Sequence, residues 1–253
     1  MKIQNLIYRK WFKVLLVMIM FIPVITQEKF DSRYTVNVIA EVLKHPYIDN
    51  IGILLPVTKV FLFLAFLSLF FMKKHGEKIL LGYYAGILIP VSLFQNMAET
   101  QYGFTFVVGN MIIQLLVCIV LIADLVKGAS CISSDQLDRT KLWVISLMCF
   151  AFMMPYAIQN DIIVPSLSSV LTNEAGVTYC MITPVILGMM ILFHRGMNPE
   201  TMHIAAFVGF SFGILNMMTW FGFQIQNWWM GICHLPLFIL SFYALRLSAK
   251  KAE

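Results

Sequence analysis

Residues 60–72 read Val-Phe-Leu-Phe-Leu-Ala-Phe-Leu-Ser-Leu-Phe-Phe-Met, thirteen residues without a charge, and Lys73 and Lys74 follow directly. The run does not alternate between apolar and polar positions, so it predicts a membrane helix rather than a membrane strand. Because cytoplasmic loops are enriched in Lys and Arg, the two lysines predict that this helix ends on the cytoplasmic side.

The other basic residues extend this prediction to the whole chain. They occur in patches at every second gap between apolar stretches: residues 2–13, 73–78, 127–141, Arg195 and 246–251. The gaps between them, at 97–103, 160–176 and 222–227, contain no Lys or Arg, as expected of outward-facing loops. The pattern predicts about eight spans with both termini in the cytoplasm. The predicted spans are 14–26, 51–72, 79–95, 104–123, 142–158, 177–193, 202–221 and 228–245.

Composition supports this fold class. Hydrophobic residues make up 60% of the chain and charged residues 12%, with a mean hydropathy of +0.81. A soluble domain has roughly 25% charged residues. We therefore predict an all-α, polytopic membrane helix bundle, a single domain over 1–253, in the cytoplasmic (inner) membrane of a prokaryote. The net charge of +5 needs no nucleic acid, since the cations would face an anionic leaflet of the lipid bilayer.

The basic N-terminus also resembles the start of a signal peptide. The stretch after Phe21, Ile22-Pro23-Val24-Ile25-Thr26-Gln27-Glu28, lacks the small-residue cleavage pattern of such peptides. We therefore interpret this segment as the first span.

Similar sequences at the outer ends of the rising spans suggest an internal repeat. Pro23, Pro90 and Pro155 are each followed four or five residues later by Gln and then by Glu or Asn. The predicted repeat units are four helical hairpins, 11–72, 79–126, 142–194 and 202–246. Duplication and chance are both open, since Pro is frequent in membrane helices.

Prolines also predict bends in six spans near their outer halves, because a Pro inside a helix removes a backbone hydrogen bond. Such bends would splay the bundle into an outward-facing cavity. In the outer loop 27–50, Val36, Ile39 and Leu43 follow helical spacing and predict a short amphipathic helix. We expect similar structure in 161–174. Both segments would cap a cavity or cover the bundle.

Polar side chains are concentrated toward the outer side, where they predict a ligand-binding pocket between hairpins. The alternative is ordinary helix-to-helix hydrogen bonding. The candidate ligand-binding residues are Lys59, Gln95, Asn96, Glu99, Asn110, Gln114, Gln159, Asn160, Asn227 and His234.

Lys59 is the strongest single candidate, because a charged group within a span must pair, reach the interface or lose its proton. Glu99 and Asp161 are the acids best placed to pair with it. A functional cation, a structural ion pair and simple snorkelling are the three interpretations.

Catalytic and metal chemistry receive little support. His234 has no partner histidine that would suit haem, and the five cysteines form no Cys-x-x-Cys pair. No Gly-x-Ser-x-Gly, His-Glu-x-x-His or phosphate-binding loop occurs. We therefore expect no cofactor and no metal.

Three functions are compatible with these features. The leading hypothesis is a small-solute transporter or facilitator with an outward-facing polar pocket. The first alternative is a non-catalytic membrane subunit or receptor, with a protein partner or a homo-oligomeric state. The second is a membrane enzyme acting on a lipid-linked substrate, with Glu99 or Asp161 as base and His234 as acid.

Overall fold

The computed structural model describes residues 7–72, 75–159, 162–168 and 170–250. The chain is mostly helical (72%). Its helices are α1 Lys10–Met20, α2 Thr35–Lys44, α3 Leu55–Phe71, α4 Gly76–Phe94, α5 Val108–Lys127, α6 Val144–Met153, α7 Tyr179–Leu192, α8 Pro199–Met218 and α9 Trp228–Lys250.

Every helix except α2 coincides in position with one of the predicted spans. Four of them, α4, α5, α8 and α9, are long and apolar enough to cross a membrane. The number rises to five if α3 forms one span with the segment before it, from which it is bent by 91°. Helices α1, α6 and α7 have 11, 10 and 14 residues, fewer than the roughly 17 that a crossing helix needs. The membrane character of the chain is therefore confirmed, whereas eight crossings are not.

Consecutive helices pack in pairs over most of the bundle, α4 with α5, α6 with α7 and α8 with α9. The first predicted pair is different, because α1 packs mainly against α5 and α3 mainly against α4. Helix α7 lies at the centre, in contact with α4, α6, α8 and α9. Its residues Met181–Leu192 are all buried.

Two small antiparallel sheets join helix ends, which the prediction of an all-α fold omits. One has the strand order β1-β3-β2, formed by β1 Ile25–Thr26, β2 Met97–Thr100 and β3 Gly103–Phe106. The other pairs β4 Tyr156–Gln159 with β5 Ile162–Pro165. The predicted spans 104–123 and 142–158 therefore each include a strand, and the expected helix in 161–174 is wrong at Ile162–Pro165. Short apolar runs fit a strand as well as a helix, so periodicity alone does not separate them.

Only three of the six prolines that were expected to bend a span lie inside a helix. Pro90, Pro184 and Pro236 lie inside α4, α7 and α9. The other three lie at helix ends: Pro56 in the first turn of α3, Pro23 after α1 and Pro155 after α6. The first turn tolerates Pro because its N–H groups have no partner within the helix.

Helix α2 confirms the amphipathic helix predicted in the first outer loop, with a different buried face. Val38 and Val42 are buried, and Val42 packs with Ala98 of β2 and with Val107. Val36 is exposed. The helix therefore lies on the three-stranded sheet, whose strands β2 and β3 connect the end of α4 to the start of α5.

Candidate functional site

Two of the predicted amides form a pair between α4 and α5. Asn96 is fully buried, and its Nδ2 donates to Oε1 of Gln114 and to the carbonyl of Ser92, both at 3.0 Å. The backbone oxygen of Asn96 accepts from the N–H of Val107 at 2.9 Å. Asn96 thus joins the end of one helix, the end of β3 and the neighbouring helix. These contacts are hydrogen bonds between helices, the alternative to a ligand pocket given in the sequence analysis.

Gln95 connects α4 to the central helix. Its Oε1 accepts from the backbone N–H of Tyr179 at 2.9 Å. Tyr179 is the first residue of α7, whose N–H has no partner within the helix. Gln95 therefore caps α7 from another helix.

Lys59 is 3% exposed and its ammonium is held by neutral oxygens. Nζ donates to Oδ1 of Asn173 at 2.8 Å and to the carbonyl of Val170. It also lies 4.7 Å from the ring centre of Phe152, within cation–π range. The predicted pairing with Glu99 is wrong, since Glu99 is exposed on β2.

Asn173 is the residue that organises this cluster, and sequence analysis did not single it out. Its Nδ2 donates to the carbonyls of Met153 and Met154 at 2.8 and 3.1 Å, at the end of α6. Its Oδ1 accepts from Lys59 and, at 3.3 Å, from the N–H of Ala175. One amide therefore connects α3, α6 and the loop before α7. Only the tertiary contact identifies it, because Asn in a loop is ordinary.

The other predicted residues do not join these clusters. Gln159 is exposed at the end of β4, and Asn110 and Asn227 are half-buried in α5 and in the turn before α9. Asn160 and Asp161 lie outside the described residues.

His234 is buried in α9. Its Nδ1 lies 2.8 Å from the carbonyl of Met230, and its ring centre lies 6.1 Å from that of Trp220. Within the described residues, no hydrogen bond or ion pair joins His234 to Glu99. Glu99 is therefore not in contact with the acid of the enzyme hypothesis, and Asp161, the other candidate base, lies outside the described residues.

Two carboxyl groups at the outer side were also missed by sequence analysis. Burial and the nearby carboxylate of Glu174 raise the pKa of Asp49 to about 7. Burial raises the pKa of Glu174 as well. Asp49 belongs to the turn before α3 and Glu174 to the turn before α7. Their mutual repulsion therefore acts between two segments that are far apart in the chain.

Several hydroxyl groups are buried on helices α4, α7 and α9. The hydroxyls of Tyr84 and Thr183 lie 3.0 Å apart. The hydroxyl of Ser241 and Oδ1 of Asn96 have no hydrogen-bond partner in the part of the chain that the structure describes. Buried polar atoms are normally paired with protein or with water.

None of the predicted ligand-binding residues lines either of two cavities on the described surface. One, of about 320 Å³, is a cleft between α2 and the turn that joins β2 to β3. We call it the outer cleft; it is lined by Tyr34, Asn37, Val38, Glu41, Gln101 and Tyr102. The other, of about 550 Å³, lies between α3 and α4. Among the described residues, no group of three or more His, Cys, Asp or Glu side chains could hold a metal ion.

No protein-family model matches the chain, and neither a curated protein nor a solved structure matches it significantly. Its function therefore has to be argued from these contacts.

Proposed function

We propose that the chain is a non-catalytic membrane receptor or accessory subunit that binds its partner in the outer cleft. The observation that carries this proposal is the contrast between the cleft and the bundle. The buried amides of Gln95, Asn96 and Gln114 are engaged in contacts between helices. The outer cleft instead presents polar and aromatic side chains to solvent.

The chemistry of the outer cleft favours a cationic group on the partner. The rings of Tyr34 and Tyr102 offer aromatic faces, and Glu41 supplies a carboxylate. Asn37 and Gln101 add hydrogen-bonding amides. A Lys or Arg side chain of a companion protein would fit this set.

We further propose eight membrane-embedded helices with both termini in the cytoplasm of a prokaryote. The three-stranded sheet joins the ends of α1, α4 and α5 that lack basic residues. Lys13, Lys78 and Lys127 lie at the opposite ends of the same helices. This distribution follows the positive-inside rule.

Cysteine labelling tests this orientation. In intact cells stripped of their outer envelope, a membrane-impermeant maleimide should label Gln101→Cys and leave the exposed native Cys131 unlabelled. Labelling of Cys131 without lysis would contradict the proposed orientation.

Photo-crosslinking tests the receptor proposal. A photoreactive residue at position 101 should capture one companion chain of defined mass. The double variant Glu41→Gln, Tyr102→Ala should reduce the yield about tenfold. The control position is 171, because Leu171 is 79% exposed on a different outer loop. No product at position 101, or the same products at both positions, would contradict the proposal.

A small-solute transporter is the second candidate, and the unpartnered interior groups favour it. Oδ1 of Asn96 and the hydroxyl of Ser241 are buried without a partner in the described chain, which is costly unless water or a solute reaches them. Purified protein in liposomes should then accelerate swelling with glycerol or urea as the probe. Lys59→Met should abolish this effect, whereas Lys29→Met, on the exposed outer loop, should not. Swelling equal to that of empty liposomes would reject this candidate.

A further inference from the structure

The cavity of about 550 Å³ between α3 and α4 is a groove with apolar walls. It is lined by Phe61, Leu64, Ala65, Leu67, Ser68, Phe71, Met72, Ile79 and Tyr83. Ser68, its one aliphatic hydroxyl, donates to the carbonyl of Ala65 at 2.7 Å. The groove therefore offers almost no free polar group, and its occupant should be a hydrocarbon chain.

Contacts between α3 and α4 fix both ends of the groove. At one end Gly76 lies so close to α3 that an added Cβ would be 2.9 Å from the carbonyl oxygen of Ser68. At the other end the hydroxyl of Tyr83 donates to the carbonyl of Thr58 at 3.4 Å. Phe61 and Phe71 are ten residues apart on α3, which corresponds to roughly 15 Å along the helix. An elongated groove held at both ends suits an extended chain.

The first turn of α4 carries an exposed positive charge. Lys78 is exposed and directly precedes Ile79, which lines the groove. The carboxylate of the neighbouring Glu77 is buried rather than exposed beside it. Juxtamembrane lysines attract anionic lipid headgroups by about 1 kcal/mol each.

We infer that this groove binds the acyl chain of an anionic phospholipid, with the headgroup phosphate at Lys78. The apolar walls select the chain and the lysine selects the charge of the headgroup. The inference requires membrane insertion and is independent of any partner in the outer cleft.

Native mass spectrometry of the full chain tests the site. The probe is a nanodisc containing equal amounts of phosphatidylglycerol and phosphatidylcholine. We expect about one phosphatidylglycerol per released chain, preferred about fivefold, which corresponds to about 1 kcal/mol. Lys78→Gln should remove this preference, whereas Lys10→Gln, at the start of α1, should keep it.

Filling the groove is the second arm of the test. Leu64→Trp should abolish lipid retention, and Phe63→Trp should not, because Phe63 is also exposed on α3 but lies outside the groove. Thermal unfolding in detergent establishes that both variants are folded.

Three outcomes would overturn the inference: retention of the lipid by Leu64→Trp, equal retention of both lipids by the unmodified chain, or a dimer that Leu64→Trp converts to monomer. The last outcome would assign the groove to a second copy of the chain. If Leu64→Trp does not fold, the Lys78→Gln variant decides the test. Loss of its preference for phosphatidylglycerol would support the inference, and a preserved preference would overturn it.

Discussion

Helices α3 and α7 have similarly apolar compositions and opposite environments. Each contains a proline, and Lys59 of α3 is the one charged residue in either helix. In α7, every residue from Met181 to Leu192 is buried among four other helices. In α3, by contrast, six apolar side chains are exposed: Val57, Val60, Phe61, Phe63, Leu64 and Phe71. Apolarity therefore identifies a membrane segment without locating it in the bundle, because lipid and protein interiors are equally apolar.

The largest expected difference between the two helices comes from the same truncation in each. Leu187→Ala in α7 should lower the free energy of unfolding by about 2 to 5 kcal/mol, because it leaves a cavity in close-packed surroundings. Leu64→Ala in α3 should change it by less than about 0.5 kcal/mol, since Leu64 is 49% exposed. Unfolding of both variants in mixed micelles, followed by circular dichroism, measures the difference. Equal losses would show that α3 is as tightly packed as α7.

A glycine substitution examines what holds α3 in place. A Cβ on Gly176 would collide with the hydroxyl of Thr58 and lie 2.7 Å from the backbone nitrogen of Lys59. Gly176→Ala should therefore cost about 2 to 3 kcal/mol through overpacking. The control is Gly82→Ala in α4, where an added Cβ meets nothing within 4 Å. If protease cleavage of the outer loops is the same in both variants, this contact does not anchor α3.

The Lys59→Met variant tests how much the hydrogen bonds of the Lys59 ammonium contribute to stability. The change leaves the carbonyl of Val170 without its ammonium donor and weakens the anchoring of Asn173. We expect a loss of about 1 to 2 kcal/mol, the usual cost of an unpaired buried acceptor. The matched control is Lys29→Met. A thermal midpoint unchanged by Lys59→Met would show that the ammonium is not structural, and would favour the transport role.

The smallest expected effect is the pH dependence of stability that arises from Asp49 in the turn before α3. The pKa of Asp49 is about 7 in the folded chain and 3.8 without its surroundings, so the folded state binds the proton more tightly. Its contribution to stability is complete below about pH 3.8 and is lost as the pH rises toward 7. Asp49→Asn should therefore raise stability at pH 8 by about 1 kcal/mol, a value reduced for the partial exposure of the group.

Thermal unfolding of the native chain and of Asp49→Asn at pH 5 and pH 8 measures this effect. Glu174→Gln should reproduce part of it, since its carboxylate raises the pKa of Asp49. A variant that is more stable than the native chain at pH 5 but not at pH 8 would reverse the predicted sign.

Part of the set of buried polar residues was predictable from sequence. Residue type and position marked Lys59, Gln95, Asn96 and Gln114, all of which are buried. Their partners were not predictable. Asn173 is far from Lys59 in the chain, and contacts across 114 positions leave no local pattern. The outer cleft was missed for the same reason, because α2 and the β2–β3 turn meet only after folding.

Length, apolar runs and basic patches were enough to predict a membrane helix bundle and the positions of its helices, since these features act locally on each segment. The strands after α4 and α6 were not predicted, because short apolar runs satisfy both periodicities. Tertiary packing alone made α7 central and α3 peripheral. It also paired the buried amides with groups on neighbouring helices, because each buried donor and acceptor must find whichever partner folding brings near.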